Sequence, residues 1–382
     1  MRNKIMKQTF IAQQVFDGKD FHHNHPVTVQ DGHILAFDTV AGAKEVKLDG
    51  TLVPGFIDVQ VNGGGGALLN SDTSVGCIET IGAAHAKFGT TGFMPTLITD
   101  DIDVMRRAAD AVAASLLKGS AGALGVHFEG PHLSIPKKGV HPQSHIRRIS
   151  DAELEVFSRN DLGIKMVTLA PENVSVEVIK ALVAADVKVC LGHSNADYET
   201  VIAALEAGAT GFTHLFNAMS PFGSREPGVV GAAIESRDAW CGLIVDGHHV
   251  HSAAARVAIY AKPRGKVMLV TDAMPPVGLD DEASFELFGT QVIRQGDRLT
   301  AVTGELAGCV LDMAGAVRNT VNMLGLSLDE AIRMGSLYPA QFLGIAKQQG
   351  QLSVGSRADL VLLNNDIQVD QTYIAGECVF QR

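Results

Sequence analysis

The sequence lacks paired cysteines, an excess of positive charge and any long apolar run. Its 382 residues include five cysteines, which are scattered along the chain and never form a Cys-x-x-Cys pair. An odd number of dispersed cysteines does not suit a disulfide framework and fits a reducing compartment. We therefore expect a cytoplasmic protein.

The other two absences exclude further classes of protein. With 31 Lys and Arg against 42 Asp and Glu, the net charge is -11, so no basic field would attract nucleic acid or an anionic membrane. Any recognition of phosphate must therefore be local. No stretch is long enough to span a bilayer, and no apolar segment of a secretion signal follows the charged N-terminus.

Both ends of the chain are rich in short strand patterns. The sequence is 46% hydrophobic, which is enough for one large core and a smaller companion domain. Turn signals separate apolar strands without a helical period in the first fifty residues, and the last thirty or so look similar. We expect residues 1–52 and 350–382 to pair into one small β-sandwich domain that brings the termini together.

Between the two ends, apolar strands alternate with stretches whose apolar residues recur at helical spacing. This alternation predicts an α/β fold, a (β/α)8 barrel of the TIM type over residues 53–349. A doubly wound sheet is the alternative, but no Gly-x-Gly-x-x-Gly follows the first strand. The helix candidates are 102–117, 174–185, 198–207 and 253–261, and the strand candidates are 56–61, 92–97, 124–128, 165–169, 187–191, 211–215, 242–245 and 267–271.

Polar side chains occur where four of these strands end. Glu129 follows the third strand, His193 follows the fifth, and His214 lies at the sixth, while Asp272 follows the eighth. Each alone could be an ordinary structural residue, but the active sites of such barrels lie at the carboxyl ends of the strands. One carboxylate and two neutral imidazoles form a three-ligand set for Zn²⁺ or a similar ion. We predict Glu129, His193 and His214 as metal ligands and Asp272 as the general base.

Specific motifs are spread over nearly the whole chain. They are Gln60-Val61-Asn62-Gly63, Pro95-Thr96-Leu97-Ile98-Thr99, His127-Phe128-Glu129-Gly130-Pro131, Leu169-Ala170-Pro171-Glu172, Gly192-His193-Ser194-Asn195, Thr213-His214-Leu215-Phe216-Asn217-Ala218-Met219 and Gly223-Ser224-Arg225-Glu226-Pro227-Gly228. In these motifs and their order the chain resembles the amidohydrolase superfamily and, within it, the N-acetylglucosamine-6-phosphate deacetylase family. The resemblance implies a metal-dependent hydrolase that removes acetate from a 6-phosphorylated N-acetylhexosamine.

The resemblance also bears on the number of metal ions. Many members of the superfamily begin the first barrel strand with His-x-His, which holds a second metal, whereas Gln60 and Asn62 occupy those places here and are poor ligands for Zn²⁺. Lys165 lies at the start of the fourth strand, the wrong end to bridge two metals. We expect one divalent ion per subunit, Zn²⁺ before Fe²⁺, Mn²⁺ or Co²⁺, with Gln60 and Asn62 as the remnant of a second metal site.

Contacts with the substrate follow from the same resemblance. Val140 would lie against the sugar, and His141 would polarise the acetamide carbonyl as a second catalytic residue. Arg225 would pair with the phosphate, in its own subunit or in a neighbouring subunit of a homodimer or homotetramer. Between His248 and His249, the second is the favoured partner of the phosphate. The remaining implied contacts are Asn217, Ala218, Asp246, Gly247, Leu306, Ala307 and Gly308.

Three alternatives stay open at the level of the sequence. The first is the same reaction on the galactose epimer, although Gln60-Val61-Asn62 fits the glucosamine branch better by resemblance. The second is an amidohydrolase acting on a cyclic amide such as a dihydropyrimidine, which the phosphate contacts at Arg225 and His249 argue against. The third is a catalytically dead barrel used as a scaffold, which would be expected to have lost one of the four residues named above for the metal and the base.

Overall fold

The structure is a computed structural model that describes residues 7–120, 122–279, 283–302 and 304–382. Strands at both ends flank a middle in which strands and helices alternate. The strands are β1 (Gln8–Phe16), β2 (Phe21–His23), β3 (Pro26–Gln30), β4 (His33–Ala36), β5 (Lys44–Pro54), β6 (Phe56–Val61), β7 (Gly63–Gly64), β8 (Ala67–Leu68), β9 (Thr90–Ile98), β10 (Gly125–Glu129), β11 (Ile164–Leu169), β12 (Val187–Leu191), β13 (Gly211–Phe212), β14 (Trp240–Leu243), β15 (Val267–Leu269), β16 (Phe285–Leu287), β17 (Thr290–Gln295), β18 (Arg298–Ala301), β19 (Leu360–Leu363), β20 (Val369–Ile374) and β21 (Glu377–Gln381).

Helices connect most of the central strands. They are α1 (Val75–Ala86), α2 (Ile102–Lys118), α3 (Asp151–Phe157), α4 (Val176–Ala184), α5 (Tyr198–Glu206), α6 (Gly228–Glu235), α7 (Ser252–Ala261), α8 (Met313–Leu324), α9 (Leu328–Gly335) and α10 (Leu337–Leu343), with 3-10 helices at Ile135–Lys137, Gln143–His145 and Pro171–Asn173. In α2 the buried Met105, Ala108 and Val112 recur at helical spacing, so one face packs on the barrel. Among the described residues, no helix is long and apolar enough to cross a membrane.

The central strands form the predicted barrel. Eight parallel strands pair in the order β6-β9-β10-β11-β12-β13-β14-β15. The ring is nearly closed by a parallel bridge between Val61 and Ala273 and by a 3.0 Å hydrogen bond from the backbone N–H of Asp272 to the carbonyl of Gln60. Every residue of β6, β9 and β10 is buried, as expected for strands covered on both faces.

Two barrel strands end earlier than the sequence predicts. The sixth and eighth strands were expected to continue to Leu215 and Thr271, but β13 ends at Phe212 and β15 at Leu269. Just beyond these points His214 (φ 35°) and Asp272 (φ 52°) adopt the left-handed conformation, which no extended strand can contain. The chain therefore leaves the sheet early, at two residues that the sequence marks as functional.

The two ends of the chain pair with each other, as predicted. Their strands form one eight-stranded sheet in the order β21-β20-β19-β5-β1-β3-β4, with β2 added to β1. Only the pair of β1 and β5 is parallel in this sheet, and the other pairs are antiparallel. A separate apolar cluster that includes Phe10, Val27, Leu52 and Leu360 forms its core.

A small antiparallel sheet, β16-β17-β18, was not predicted and interrupts the last part of the barrel. Its buried Leu287, Val292 and Leu299 pack in one cluster with Ile98 and Met274 at the mouth of the barrel. The sheet therefore packs beside the region in which the predicted functional residues meet, and Val140 lies against the same cluster.

Candidate active site

Four barrel strands deliver the predicted metal ligands and base to one place. Glu129 is the last residue of β10, while His193, His214 and Asp272 follow the ends of β12, β13 and β15. His193 (φ 47°) shares the left-handed backbone conformation of His214 and Asp272. For residues with a side chain this conformation costs about 1–3 kcal/mol each, and it persists where the surrounding structure enforces it, often in active sites.

The three predicted ligands meet at one carboxylate oxygen. Oε1 of Glu129 lies 3.0 Å from Nε2 of His214 and 3.3 Å from Nε2 of His193, and the two Nε2 atoms are 3.0 Å apart. Two imidazole nitrogens and one carboxylate oxygen at such separations match the edges of a tetrahedron around an ion whose ligands lie about 2.0–2.2 Å away. The residues therefore fit a divalent metal with an open coordination position.

The hydrogen bond at one of the two imidazoles agrees with this use. Nδ1 of His193 donates to the carbonyl of Lys137 at 2.8 Å, which leaves the lone pair of Nε2 free for a metal. Nδ1 of His214 is buried and has no partner among the described residues. Burial raises the pKa of Glu129, but the contacts with His193 and His214 outweigh it, so the pKa lies well below its usual range. The carboxylate is thus held ionised, as a metal ligand must be.

Asp272 lies beside this cluster. Its Oδ1 accepts hydrogen bonds from Nδ2 of Asn62 at 2.7 Å and Nε2 of Gln60 at 3.2 Å. Burial, followed by the negative charge of Glu129, raises the pKa of Asp272 to about 6. A carboxyl group whose pKa lies near neutrality can both take and return a proton at physiological pH.

His141 approaches the cluster from another loop. Its ring lies 4.4 Å from the ring of His193, measured between centroids, and it is 3% exposed. Nδ1 accepts from the backbone N–H of Thr99 at 3.4 Å and lies 2.8 Å from the hydroxyl of Thr99. Burial, and then the proximity of His193, lower the pKa of His141 well below its usual range. The ring is therefore neutral, and the hydrogen bonds at Nδ1 assign the remaining proton to Nε2.

These groups line one open cavity of about 210 Å³. Most of the predicted site residues reach it, and Ile98, Gly139 and Met274 complete the wall without having been singled out from the sequence. Ile98 and Met274 are apolar residues whose exposure to a cavity leaves no signal in the sequence. The predicted residues that line the cavity are Asn62, Glu129, Val140, His141, His193, His214, Asn217, Ala218, His249, Asp272, Leu306 and Gly308.

In the loop after β14, some of the predicted contact residues face the cavity and others face away from it. His249 lines the cavity, and its Nδ1 donates to the buried carboxylate of Asp246 at 2.6 Å. His248 turns away, and its Nε2 lies 2.9 Å from Oδ1 of the exposed Asp297. Gly247 is exposed beside them and does not line the cavity. Asp246 thus holds His249, and it also accepts a hydrogen bond from the thiol of Cys309 at 3.3 Å.

The loop before α8 closes the opposite side. Leu306 and Gly308 line the cavity, whereas Ala307 is buried behind it. Gly308 has φ 68°, and a Cβ atom there would lie 2.3 Å from Cγ of Met274. Only glycine suits this position, because any side chain would collide with the cavity wall.

Arg225 lies outside the cavity. It is exposed in the loop before α6, and within the described ranges it has no ion pair. The neighbouring Glu226 is engaged elsewhere, because its Oε1 accepts from the backbone N–H groups of Tyr198 and Gly228, each at 2.8 Å. Glu226 is therefore not the partner of the Arg225 guanidinium group within the described residues.

Two further polar residues of the barrel strands make contacts away from the metal ligands. His127 is fully buried below the cluster, between the hydroxyls of Thr96 at 3.3 Å and Thr168 at 2.7 Å. Nζ of Lys165 donates to the carbonyl of Ala185 at 2.7 Å, at the amino end of its strand. The structure therefore places Lys165 far along its strand from the metal ligands, as the sequence indicated.

Comparison with known proteins identifies relatives over nearly the full chain. Residues 51–379 match the Amidohydrolase family model. An N-acetylgalactosamine-6-phosphate deacetylase from Shewanella sp. (strain ANA-3) is 50% identical over 362 residues, which cover 93% of this chain and 91% of the relative.

Solved structures of deacetylases share the fold of this chain. N-acetylglucosamine-6-phosphate deacetylase from Pasteurella multocida superposes with a TM-score of 0.94 at 35% identity, over 99% of this chain and 100% of the other. A variant of the deacetylase from Mycobacterium smegmatis, in complex with N-acetyl-D-glucosamine-6-phosphate, has a TM-score of 0.91 at 29% identity, over 98% of this chain and 100% of the other.

Proposed function

Because the chain belongs to the amidohydrolase family, we propose that it hydrolyses the acetamide of N-acetyl-D-glucosamine 6-phosphate to D-glucosamine 6-phosphate and acetate in amino-sugar breakdown. The observation that carries the proposal is the convergence of Glu129, His193, His214 and Asp272 on one cavity. A carboxylate, two imidazoles and a separate base form the minimal set for metal-assisted hydrolysis of an amide.

Glu129, His193 and His214 would hold a single divalent ion, for which zinc is the proposed identity. These ligands suit zinc because they offer two neutral imidazole nitrogens and one carboxylate oxygen. When bound, the metal supplies the Lewis acidity that makes water a competent nucleophile near neutral pH. Gln60 and Asn62 offer amides in place of imidazoles, which supports a count of one ion per chain.

Asp272 would move the proton in both halves of the reaction. It accepts a proton from the attacking water as the oxygen of that water bonds to the acetamide carbon. It then donates the same proton to the amide nitrogen as the C–N bond breaks, which releases the amino sugar and acetate. A pKa of about 6 suits a group that must act first as a base and then as an acid.

His141 would stabilise the charge that develops on the acetamide oxygen. Its Nδ1 is occupied by Thr99, so the N–H at Nε2 is the group that can donate to the carbonyl oxygen of the substrate. Such a donor, fixed in a buried site, is worth most when negative charge develops on its acceptor.

Replacing His141 with Ala is expected to lower kcat about 10²- to 10³-fold, because one fixed donor to the developing oxyanion is lost. Metal content should stay at the level of the unaltered protein, because His141 is not among the proposed ligands. His145→Ala is the matched control, since this imidazole lies in the same loop but pairs with Asp101 outside the cavity. Equal kcat values for the two variants would contradict the role of His141.

The phosphate end of the substrate would lie near His249, Asn217 and the backbone N–H of Ala218. We propose that Arg225 completes this end from a neighbouring subunit of a homodimer, or of a homotetramer built from such dimers. Its exposure outside its own cavity supports the proposal, and so does the apolar surface beside it, where Phe222 is 70% exposed. A planar guanidinium group is the preferred partner of a phosphate.

Arg225→Ala is expected to lower kcat/KM for the 6-phosphorylated sugar about 10- to 100-fold, because a hydrogen-bonded charge pair is lost. The rate with the unphosphorylated sugar should already be low and should not change further. Arg225→Lys should retain part of the activity, since it keeps the charge but not the bidentate geometry. Arg237→Ala, which removes another exposed arginine, serves as the control. A similar loss with both sugars would contradict the assignment of Arg225 to the phosphate.

The galactosamine epimer is a second candidate substrate. The observation that favours it is the 50% identity to the Shewanella enzyme named for N-acetylgalactosamine 6-phosphate. The two sugars differ at a single hydroxyl, so the metal site and Asp272 serve either one equally well.

The function is tested by acetate release from the metal-loaded protein with both 6-phosphorylated epimers and with unphosphorylated N-acetylglucosamine. We expect the highest kcat/KM with the glucosamine epimer. A higher value with the galactosamine epimer would reassign the substrate, and equal values with and without phosphate would remove the phosphate site from the proposal. No release from any of the three would contradict the proposed function.

The proposed location is the cytoplasm. All five cysteines are free thiols, of which Cys378 alone is exposed. Free thiols are typical of proteins that work in a reducing compartment.

A further inference from the structure

Two amide side chains join the two carboxylates of the active site. Nε2 of Gln60 lies 3.1 and 3.2 Å from the two oxygens of Glu129 and 3.2 Å from Oδ1 of Asp272. Nδ2 of Asn62 donates to the same Oδ1 at 2.7 Å. Both amides are 1% exposed, so water does not compete for these bonds. The positions that the sequence marks as a lost metal site are thus filled by hydrogen-bond donors.

We propose that Gln60 and Asn62 are positioning residues, which fix the carboxylates of Glu129 and Asp272 for the reaction. The inference rests on the proposed function and deepens it. Two donors converge on Oδ1 of Asp272, so Oδ2 is the oxygen left to exchange the proton with water and with the amide nitrogen. The bonds from Gln60 to Glu129 hold this ligand toward the two imidazoles.

The orientation of both amides is fixed by charge. If either amide were turned over, its carbonyl oxygen would face a carboxylate oxygen at hydrogen-bond distance, which is repulsive. In the observed orientation, N–H dipoles lie between Glu129 and Asp272 and reduce the repulsion of two neighbouring carboxylates. The arrangement therefore supplies locally the positive potential that a second cation would otherwise provide.

The backbone around Gln60 is rigid. Its N–H donates to Oδ1 of the buried Asp58 at 3.1 Å, and its carbonyl accepts from the N–H of Asp272 at 3.0 Å. Asp58 is further bound to the hydroxyl and the N–H of Thr271, next to Asp272. These bonds join the first and last barrel strands beside Gln60 and Asn62. The backbone that carries the two amide side chains is therefore held in place.

Asn62 offers the cleaner test of the two. Its Oδ1 has no partner among the described residues, so the bond to Asp272 is the interaction of this amide that a substitution removes. Asn62→Ala and Asn62→Leu both delete the donor, and the second keeps the branched outline of the side chain. Asn364→Ala is the matched control, because Asn364 lies between β19 and β20, away from both site carboxylates, with its Nδ2 3.5 Å from Oδ1 of Asp370.

We expect kcat to fall about 10- to 100-fold in both Asn62 variants, because a hydrogen bond to a charged group is lost. KM should stay within about threefold of the original value, since Asn62 acts through Asp272 and not on the substrate. Metal content should stay at one ion per chain. In an Asp272→Asn background, Asn62→Ala should cause no further loss, because the group through which it acts is already absent.

The double substitution separates positioning from a general structural effect. An equal fold-loss from Asn62→Ala in both backgrounds, or kcat within twofold of the original in the single variants, would overturn the proposal. A loss of the same size in Asn364→Ala would do the same. The unaltered protein is measured alongside the variants, so that a failure of the proposed function can be told apart from a failure of the positioning role. If the unaltered protein releases no acetate, the proposed function is contradicted, and with it the role of Asn62.

Discussion

Asp272→Asn is expected to lower kcat about 10³- to 10⁴-fold, because general acid–base catalysis contributes up to this amount and, among the described residues that line the cavity, no other carboxyl group lies beside the proposed metal ligands except the ligand Glu129 itself. Asparagine keeps the shape of the side chain, and its Oδ1 can still accept the bonds from Asn62 and Gln60. It cannot take a proton from water. Metal content and KM should therefore stay close to those of the unaltered protein.

The measurement combines steady-state kinetics with metal analysis on the same preparation. Asp197→Asn is the matched control, since Asp197 begins α5 by accepting from the N–H of Thr200 and asparagine caps helices equally well. Near-normal turnover in Asp272→Asn would rule out Asp272 as the base. A loss of metal together with activity would show that Asp272 is instead a ligand.

The second large effect is expected at Glu129. Glu129→Ala should abolish metal binding at this site and reduce activity to background, because two imidazoles alone bind a divalent ion weakly and the neighbouring Gln60 and Asn62 offer amides, which are poor ligands. Glu129 is 2% exposed, and its Oε1 is the atom that both imidazole nitrogens approach.

Metal analysis after gel filtration tests this result, with circular dichroism as the check that the barrel is folded. Glu199→Ala, which removes an exposed carboxylate, should retain its metal and its activity. One ion per chain in Glu129→Ala would show that the ion lies elsewhere. A metal-free but active variant would contradict the requirement for a metal.

Continuous apolar runs made the barrel predictable. The bounds of β6 and β12 agree with the expected 56–61 and 187–191, because each run is bounded by residues that end a strand. The order of the barrel strands follows from their order in the chain, since parallel neighbours joined by helices leave few other topologies. The sheet β16-β17-β18 was missed because it is a short insertion whose strands are stabilised mainly by their contacts with the barrel mouth.

The residues of the site that lie at strand ends could be predicted from the sequence. Their backbone conformations and their hydrogen bonds to distant residues could not, because these depend on the folded barrel. Glu129, His193 and Asp272 follow predicted strands and His214 lies near the end of one, and parallel strands bring such positions to the same end. The left-handed backbone at three of them has no sequence signal in a residue other than glycine. The bonds from Gln60 and Asn62 to Asp272 join residues more than 200 positions apart, which only the closure of the barrel brings together.

The sequence also could not show how two adjacent histidines differ in orientation. His248 and His249 are adjacent and chemically identical, yet one faces the cavity and the other faces Asp297. The difference follows from the turn around Asp246, whose Oδ1 accepts from both of their backbone N–H groups at 2.9 Å. Glu226, next to the exposed Arg225, likewise accepts from the backbone N–H groups of Tyr198 and Gly228, which the sequence did not indicate.

We propose that Glu129, His193 and His214 hold one divalent ion and that Asp272 depends on it to hydrolyse the acetamide. The most direct measurement is a titration of the metal-free protein with zinc, in which acetate release from the 6-phosphorylated sugar is followed at each addition. We predict no activity without metal and a linear rise that ends sharply at one equivalent per chain. Full activity in the metal-free protein, or a rise that continues to two equivalents, would contradict the account.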